Sequence, residues 1–169
     1  SAILQPLNII DIIYYNKQQR NIQLLKEASL IQRLNNINNH YKKMIYGLTV
    51  ADLINKISLE NSPCKIIFRL ILQTLKKIDC CNVEQLNIYY MFFQFQFLIY
   101  LGYQPNFLNC YHCSKAIESG IFNSDFGQIF CSNCSTIKKI TINKEDTNII
   151  QILMKTHIDE LSKYISNNS

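Results

Sequence analysis

Cys110-Tyr111-His112-Cys113 and Cys131-Ser132-Asn133-Cys134 stand seventeen residues apart, and their reading decides the architecture around them. Each two-residue gap turns a pair of thiols inward from a tight knuckle, and two knuckles together supply a tetrahedral set of four sulfurs. Between them, Gly120-Ile121-Phe122-Asn123 and Gln128-Ile129-Phe130 flank Ser124-Asp125-Phe126-Gly127. That pattern predicts a hairpin with Gly127 as its turn glycine, bringing the second knuckle back against the first. The spacing is that of a zinc ribbon and predicts one Zn²⁺ held by Cys110, Cys113, Cys131 and Cys134. Four thiolates leave no position for water, so the site is expected to be structural rather than catalytic. A lone C-x₂-C can be redox-active, but two pairs about a hairpin, with no βαβ pattern around either, do not suit that role. Spacing alone leaves an iron–sulfur centre open. His112, inside the first knuckle, is expected to be exposed. Cys64, Cys80 and Cys81 have no spaced partners and read as partly buried small hydrophobes.

On the N-terminal side of the cysteines lies Leu86–Leu101, the longest apolar stretch. Phe93-Gln94-Phe95-Gln96-Phe97 alternates like a strand, yet the length and continuity of the stretch favour a buried helix ending near Gly102, with Pro105 as a stop. It is too short for a membrane span and carries Asn87, Gln94 and Gln96. Further upstream, Ile67, Leu70, Ile71, Thr74, Leu75 and Ile78 recur at helical spacing after a Ser62-Pro63 start. Cys80-Cys81-Asn82 interrupts that pattern. His40–Lys56 is a second helix, preceded by Asn35-Asn36-Ile37-Asn38-Asn39, which reads as a polar linker. Leu7–Tyr15 and Asn21–Ala28 are apolar runs separated by polar Asn16–Arg20, hence a hairpin. Two strands alone are not a stable unit. After the cysteines, Thr147–Ile165 reads as a final helix, opened by Glu145 and Asp146.

Composition agrees with a folded chain: of 169 residues, 48% are hydrophobic and 17% charged, which is not the balance of a disordered protein. The formal net charge of +5 is uneven. Lys17, Arg20, Lys26, Arg33, Lys42 and Lys43 face only Asp11 and Glu27 within residues 1–43, whereas residues 110–169 balance to zero. Such a surplus permits a nucleic-acid partner without requiring one. Ser1–Ile13 shows neither a basic leader nor a small-residue cleavage site, so no signal peptide is expected. Seven cysteines without export features point to a reducing compartment, the cytoplasm. There is no G-x-S-x-G, H-E-x-x-H, paired-carboxylate motif or phosphate-cradling glycine loop, which weighs against an enzyme.

Leu98-Ile99-Tyr100-Leu101-Gly102-Tyr103-Gln104-Pro105-Asn106, the first cysteine pair and the Phe122–Cys131 hairpin together resemble the RecO family of bacterial DNA-repair proteins. Leu4-Gln5-Pro6-Leu7-Asn8-Ile9-Ile10-Asp11 and Leu24-Leu25-Lys26-Glu27-Ala28 resemble two strands of the same family, in the same order. The resemblance implies a mainly α protein: a helical domain over residues 40–169, with a four-cysteine zinc-ribbon insert at 107–137. Residues 1–34 would precede it as a partial OB-like β-hairpin, the last strands of an OB-fold whose earlier strands have no counterpart here. The implied role is that of a recombination mediator with no enzymatic activity. Such a protein binds single- and double-stranded DNA, supports strand annealing and recombinase loading, and works with RecR and the single-strand-binding protein. Lys17, Arg20, Lys26, Arg33, Lys42 and Lys43 are the expected DNA-binding residues, and Tyr14 and Tyr15 could stack bases if exposed, although one or both are expected to face the core of the strand pair. The alternative is a zinc-ribbon scaffold or protein-interaction domain with no DNA contact of its own. A small metal-dependent enzyme would instead need an open coordination position.

Overall fold

The structure, a computed structural model, describes residues 2–17, 19, 22–57, 64–135 and 140–166. The chain divides into two compact units, Ser1–Tyr90 and Met91–Ser169. The expected mainly α architecture with an N-terminal β-hairpin is what the chain adopts. Among the described residues, no helix is long and apolar enough to cross a membrane.

In the first unit, β1 (Ile9–Tyr15) and β2 (Leu24–Gln32) pair antiparallel, with Ile12 opposite Ala28 and Tyr15 opposite Leu24. Register irregularities fall at Ile9/Ile10 and Ile13/Tyr14. The loop is tied by a reciprocal pair: Gln23 Oε1 accepts from the Lys17 N–H at 2.9 Å, and Gln23 Nε2 donates to the Lys17 carbonyl at 3.0 Å. β1 is apolar but for Asp11 and β2 mixes apolar with polar residues, and Ile12, Ile13, Leu24, Leu25 and Ile31 are exposed. Tyr14 and Tyr15 are each 49% exposed, so the expectation that one or both face a core is not met: neither face of the two-stranded pair is covered at these positions.

Helices α1 (Asn35–Asn39), α2 (Tyr41–Ile57) and α3 (Lys65–Cys80) supply the packed part of this unit. The run expected to be a polar linker is α1. Its four asparagines outweigh one Ile in composition, but Ile37 is fully buried and fixes the segment's conformation. The Ile37 N–H donates to Asp79 Oδ1 at 2.9 Å, and Lys43 Nζ donates to the Asp79 carbonyl at 2.7 Å. Asp79 near the end of α3 thereby holds both α1 and α2. In α3 the spacing rule holds, since Ile67, Thr74, Leu75 and Ile78 are the buried positions. The Ser62-Pro63 start expected for it lies outside the described residues.

Gly47 of α2 has a specific reason to be glycine. A Cβ there would meet Leu7 Cδ1 at 2.6 Å, so the absent side chain lets the segment before β1 approach the helix. Leu7 itself adopts φ 64°, a left-handed conformation rare for a bulky residue.

Helix α4 (Leu86–Tyr100) is the buried helix expected from the apolar run, and Gly102, at φ 86°, follows its end in the left-handed conformation. In the second unit, Phe93 and Phe97 stack at 5.7 Å between ring centres. Strands β3 (Gly120–Asn123), β4 (Gln128–Phe130) and β5 (Ile140–Ile142) form an antiparallel sheet in the order β4-β3-β5. The first two are the expected hairpin, with Gly127 at φ 62°, and β5 is an added strand.

The single C-terminal helix expected over Thr147–Ile165 is two helices, α5 (Lys144–Lys155) and α6 (Ile158–Ser166). Thr156 is extended between them, at ψ 149°. The reason lies in the packing: Gln96 Nε2 donates to the Leu153 and Met154 carbonyls at 2.9 and 3.1 Å. These carbonyls of the last turn of α5 are satisfied from outside the helix. The break then re-aims α6 so that Ile158 and Leu161 are buried. Helix α5 starts at an Asn143 cap. Asn143 Oδ1 accepts from the Asp146 N–H at 2.8 Å, and Asp146 Oδ2 accepts from the Asn143 N–H at 3.1 Å.

Candidate metal centre

The first knuckle is shaped by a short bridge between Asn109 and Ala116. Asn106 Oδ1 accepts from the Leu108 and Asn109 N–H groups at 2.9 and 3.3 Å, turning the chain into it. The Cys110 N–H donates to the Lys115 carbonyl, and the Ser114 N–H to the Cys110 carbonyl, both at 2.9 Å. Ser114, at φ 58°, closes the turn, and its carbonyl accepts from Asn109 Nδ2 at 3.2 Å. In the second knuckle, the Cys134 and Ser135 N–H groups donate to the Cys131 carbonyl at 3.1 and 3.0 Å. The hairpin joins the two, because the Tyr111 N–H donates to the Ile129 carbonyl at 2.9 Å.

All four sulfurs of Cys110, Cys113, Cys131 and Cys134 lie within 4.8 Å of one another and could hold a metal ion. The Cys113 and Cys131 sulfurs, from opposite knuckles, are 3.9 Å apart. Cys110 is 1% exposed, and its sulfur accepts from the Cys131 N–H at 3.3 Å; the other three are partly exposed. Burial pushes the Cys110 thiol up, but backbone N–H groups of Cys113, Cys131 and His112 outweigh it. They bring the thiol from 9.0 down to about 6. Cys134 is pushed up to about 12 by hydrogen bonding to Cys131, then by burial and by its bonds to Cys113 and Cys110. Four thiols this close cannot all ionise unless a cation sits among them.

The knuckles rest on a small core of Phe107, Ile129 and Ile142, with Phe95, Phe122 and Ile150 packed against it. His112 is exposed, as expected. Of the remaining cysteines, Cys64 and Cys81 are partly buried, while Cys80 at the end of α3 is exposed and does not match the reading as a small core residue.

The basic residues divide. Lys17, Lys26, Arg33 and Lys42 are exposed, and Arg20 lies outside the described residues. Lys43 is only 7% exposed, and its ammonium is committed to the Asp79 carbonyl, so it cannot meet a phosphate without leaving its place. From sequence, one lysine in a Lys42-Lys43 pair on a helix turns inward, and periodicity with Gly47 and Val50 is the signal that could have shown which.

Two features were not anticipated. A cavity of about 620 Å³ opens beside the hairpin, walled by Phe95, Leu98, Tyr103, Phe107, Phe122 and Phe126, with Gln104 and Gln128 as amides. None of its described lining residues is charged. Next to it, exposed Tyr111 stacks on exposed Phe126 at 6.4 Å and meets Phe130 edge-on at 5.6 Å.

A family model described as "Recombination protein O C terminal" matches residues 38–168. The chain is also similar to curated proteins named DNA repair protein RecO. That of Maridesulfovibrio salexigens is 28% identical over 116 residues, covering 67% of this chain and 46% of its own length. That of Thermoanaerobacter sp. is 25% identical over 131 residues, covering 78% of this chain and 52% of its own length. That of Caldicellulosiruptor saccharolyticus is 26% identical over 167 residues, covering 96% of this chain and 65% of its own length. The chain spans about half the length of the first two relatives.

Proposed function

Because the chain belongs to the RecO family, we propose that it acts without catalysis as a recombination mediator in cytoplasmic DNA repair. The match over residues 38–168 carries this reading. In it, residues 40–169 are the helical domain with its insert at 107–137, and residues 1–34 are the end of an OB-like sheet. The open β1–β2 ribbon supports that assignment. Its exposed Ile12, Leu24 and Ile31 are what a strand pair shows when the strands that would cover it are elsewhere.

The four-cysteine site holds Zn²⁺ in this reading. With Zn–S bonds of about 2.3 Å, a tetrahedron has sulfurs about 3.8 Å apart. The 3.9 Å between Cys113 and Cys131 fits that edge. When bound, the ion supplies no chemistry, because four thiolates fill its coordination; it cross-links the two knuckles and lets every ligand ionise. The backbone donors at Cys110 already favour its thiolate, so this residue is the best prepared of the four.

The DNA contact is electrostatic and uses Lys17, Lys26, Arg33 and Lys42, with Arg20 as a further candidate. Single- and double-stranded DNA, RecR and the single-strand-binding protein are the proposed partners. Anisotropy of a labelled single-stranded oligonucleotide, titrated at several salt concentrations, tests this. Four phosphate contacts give a log–log salt slope of about −3. No affinity at low salt, or affinity indifferent to salt, would remove DNA from the proposal.

A second reading, a protein-interaction scaffold without DNA contact, is favoured by the uncharged cavity and the exposed Tyr111–Phe126 pair. The same titration separates the two. An acidic, aromatic tail such as that of the single-strand-binding protein could fill the cavity with its apolar part. Its charge would need cations from outside the described lining.

A further inference from the structure

We propose that Cys113 and Cys131 are a peroxide-oxidisable pair, so that the metal cross-link between the knuckles can be exchanged for a covalent one. The inference rests on the zinc reading of the four-cysteine site and assigns it a modification. Their sulfurs, 3.9 Å apart, come from opposite knuckles, and both residues are partly exposed. Cys110 is the contrasting case, buried and fixed by the Cys131 N–H, so an oxidant reaches it last. A disulfide needs its sulfurs about 2.05 Å apart, so this pair closes by moving together about 2 Å.

The chemistry balances with hydrogen peroxide as the oxidant. One thiolate attacks a peroxide oxygen, the O–O bond breaks, and a sulfenic acid and hydroxide form. The second thiolate then attacks that sulfur, the S–O bond breaks, and a second hydroxide leaves as the disulfide forms. Two sulfurs lose two electrons in total; the peroxide takes them and, with two protons from solvent, becomes two waters. The zinc ion is left with Cys110 and Cys134 alone and is released. The disulfide joins the same knuckles that the ion joined, so the β3–β4 hairpin stays tethered. Joining Cys131 to Cys134 would instead leave the knuckles untied.

The test treats zinc-loaded protein carrying C64S, C80S and C81S with hydrogen peroxide. Metal release is followed with a chromogenic chelator, and disulfides are mapped by mass spectrometry. The expected result is about one zinc released per chain together with a dominant Cys113–Cys131 linkage. Dithiothreitol with added zinc should restore the metal. Retention of zinc under peroxide, a different dominant linkage, or over-oxidation to sulfinic acids without a disulfide would each overturn the proposal. Metal content is measured before treatment, so a chain that never held zinc overturns the zinc reading instead. Mapping the oxidised metal-free protein then still decides the pair.

Discussion

At the scale of single residues, Cys80 and Cys81 are neighbours in sequence with different chemistry. Cys80 is exposed. Cys81 is partly buried, and burial pushes its thiol up, with the Lys43 ammonium opposing. A raised thiol pKa means a smaller thiolate fraction at any given pH, and thiolate is the form that alkylates. Iodoacetamide near neutral pH should therefore label Cys80 first, with Cys81 catching up only as pH rises; peptide mass spectrometry reads the order. Gly47 offers a second case. Its missing Cβ makes room for the tip of Leu7, so Gly47→Ala should change denaturant unfolding by less than about 1 kcal/mol, the shift of Leu7 offsetting the gain in helix propensity. Leu7→Ala alone loses its own contacts. In the double variant the clash is gone and the propensity gain remains, so the two effects should not add, which a double-mutant cycle detects. Neither effect is visible from residue type alone, because both depend on which atoms arrive from distant parts of the chain.

Among the elements, helix α3 was legible because its buried residues recur at helical spacing. Helix α4 was legible because sixteen residues of nearly unbroken apolar character exceed a strand. The linker before α2 was misread because one buried Ile37 settles the state of a segment whose other residues favour turns. The C-terminal break was hidden for a different reason. Nothing at Thr156-His157 forbids a helix, and it is the Gln96 amide taking the Leu153 and Met154 carbonyls that makes the stop inexpensive. The start of α5 depends on a local cap and carries a clear expectation. Asn143→Ala should lower stability by about 1 kcal/mol, whereas Asn143→Asp should be nearly neutral, as thermal unfolding can measure.

For the whole molecule, the zinc reading makes a spatial prediction. A chelator strong enough to strip the ion should raise amide hydrogen exchange across residues 107–135 and 140–142, whose small core of Phe107, Ile129 and Ile142 is too slight to hold alone. The α1–α3 core, built on Leu34, Ile37 and Ile78, should keep its protection. Exchange lost equally in both regions would mean that the ion stabilises more than the insert. The exposed apolar side chains of β1 and β2 belong to this scale too, since none of the three helices α1–α3 covers Ile12, Leu24 or Ile31.

What the amino-acid order determined by itself is whatever acts over a few residues. Two C-x₂-C knuckles about a glycine-turned hairpin can close on one ion whatever surrounds them, and the helical spacing of α3 selects its own buried face. The motifs of the RecO family, likewise local, were readable for the same reason. Only the tertiary structure decided where the C-terminal helix breaks, what the Lys43 ammonium is bonded to, and that a cavity with no charged residue among its described lining opens beside the β3–β4 hairpin. Those outcomes depend on pairings between residues tens of positions apart. Asp79 with Lys43 and Gln96 with Leu153 are examples, and burial, rather than local propensity, sets the free energy of such contacts.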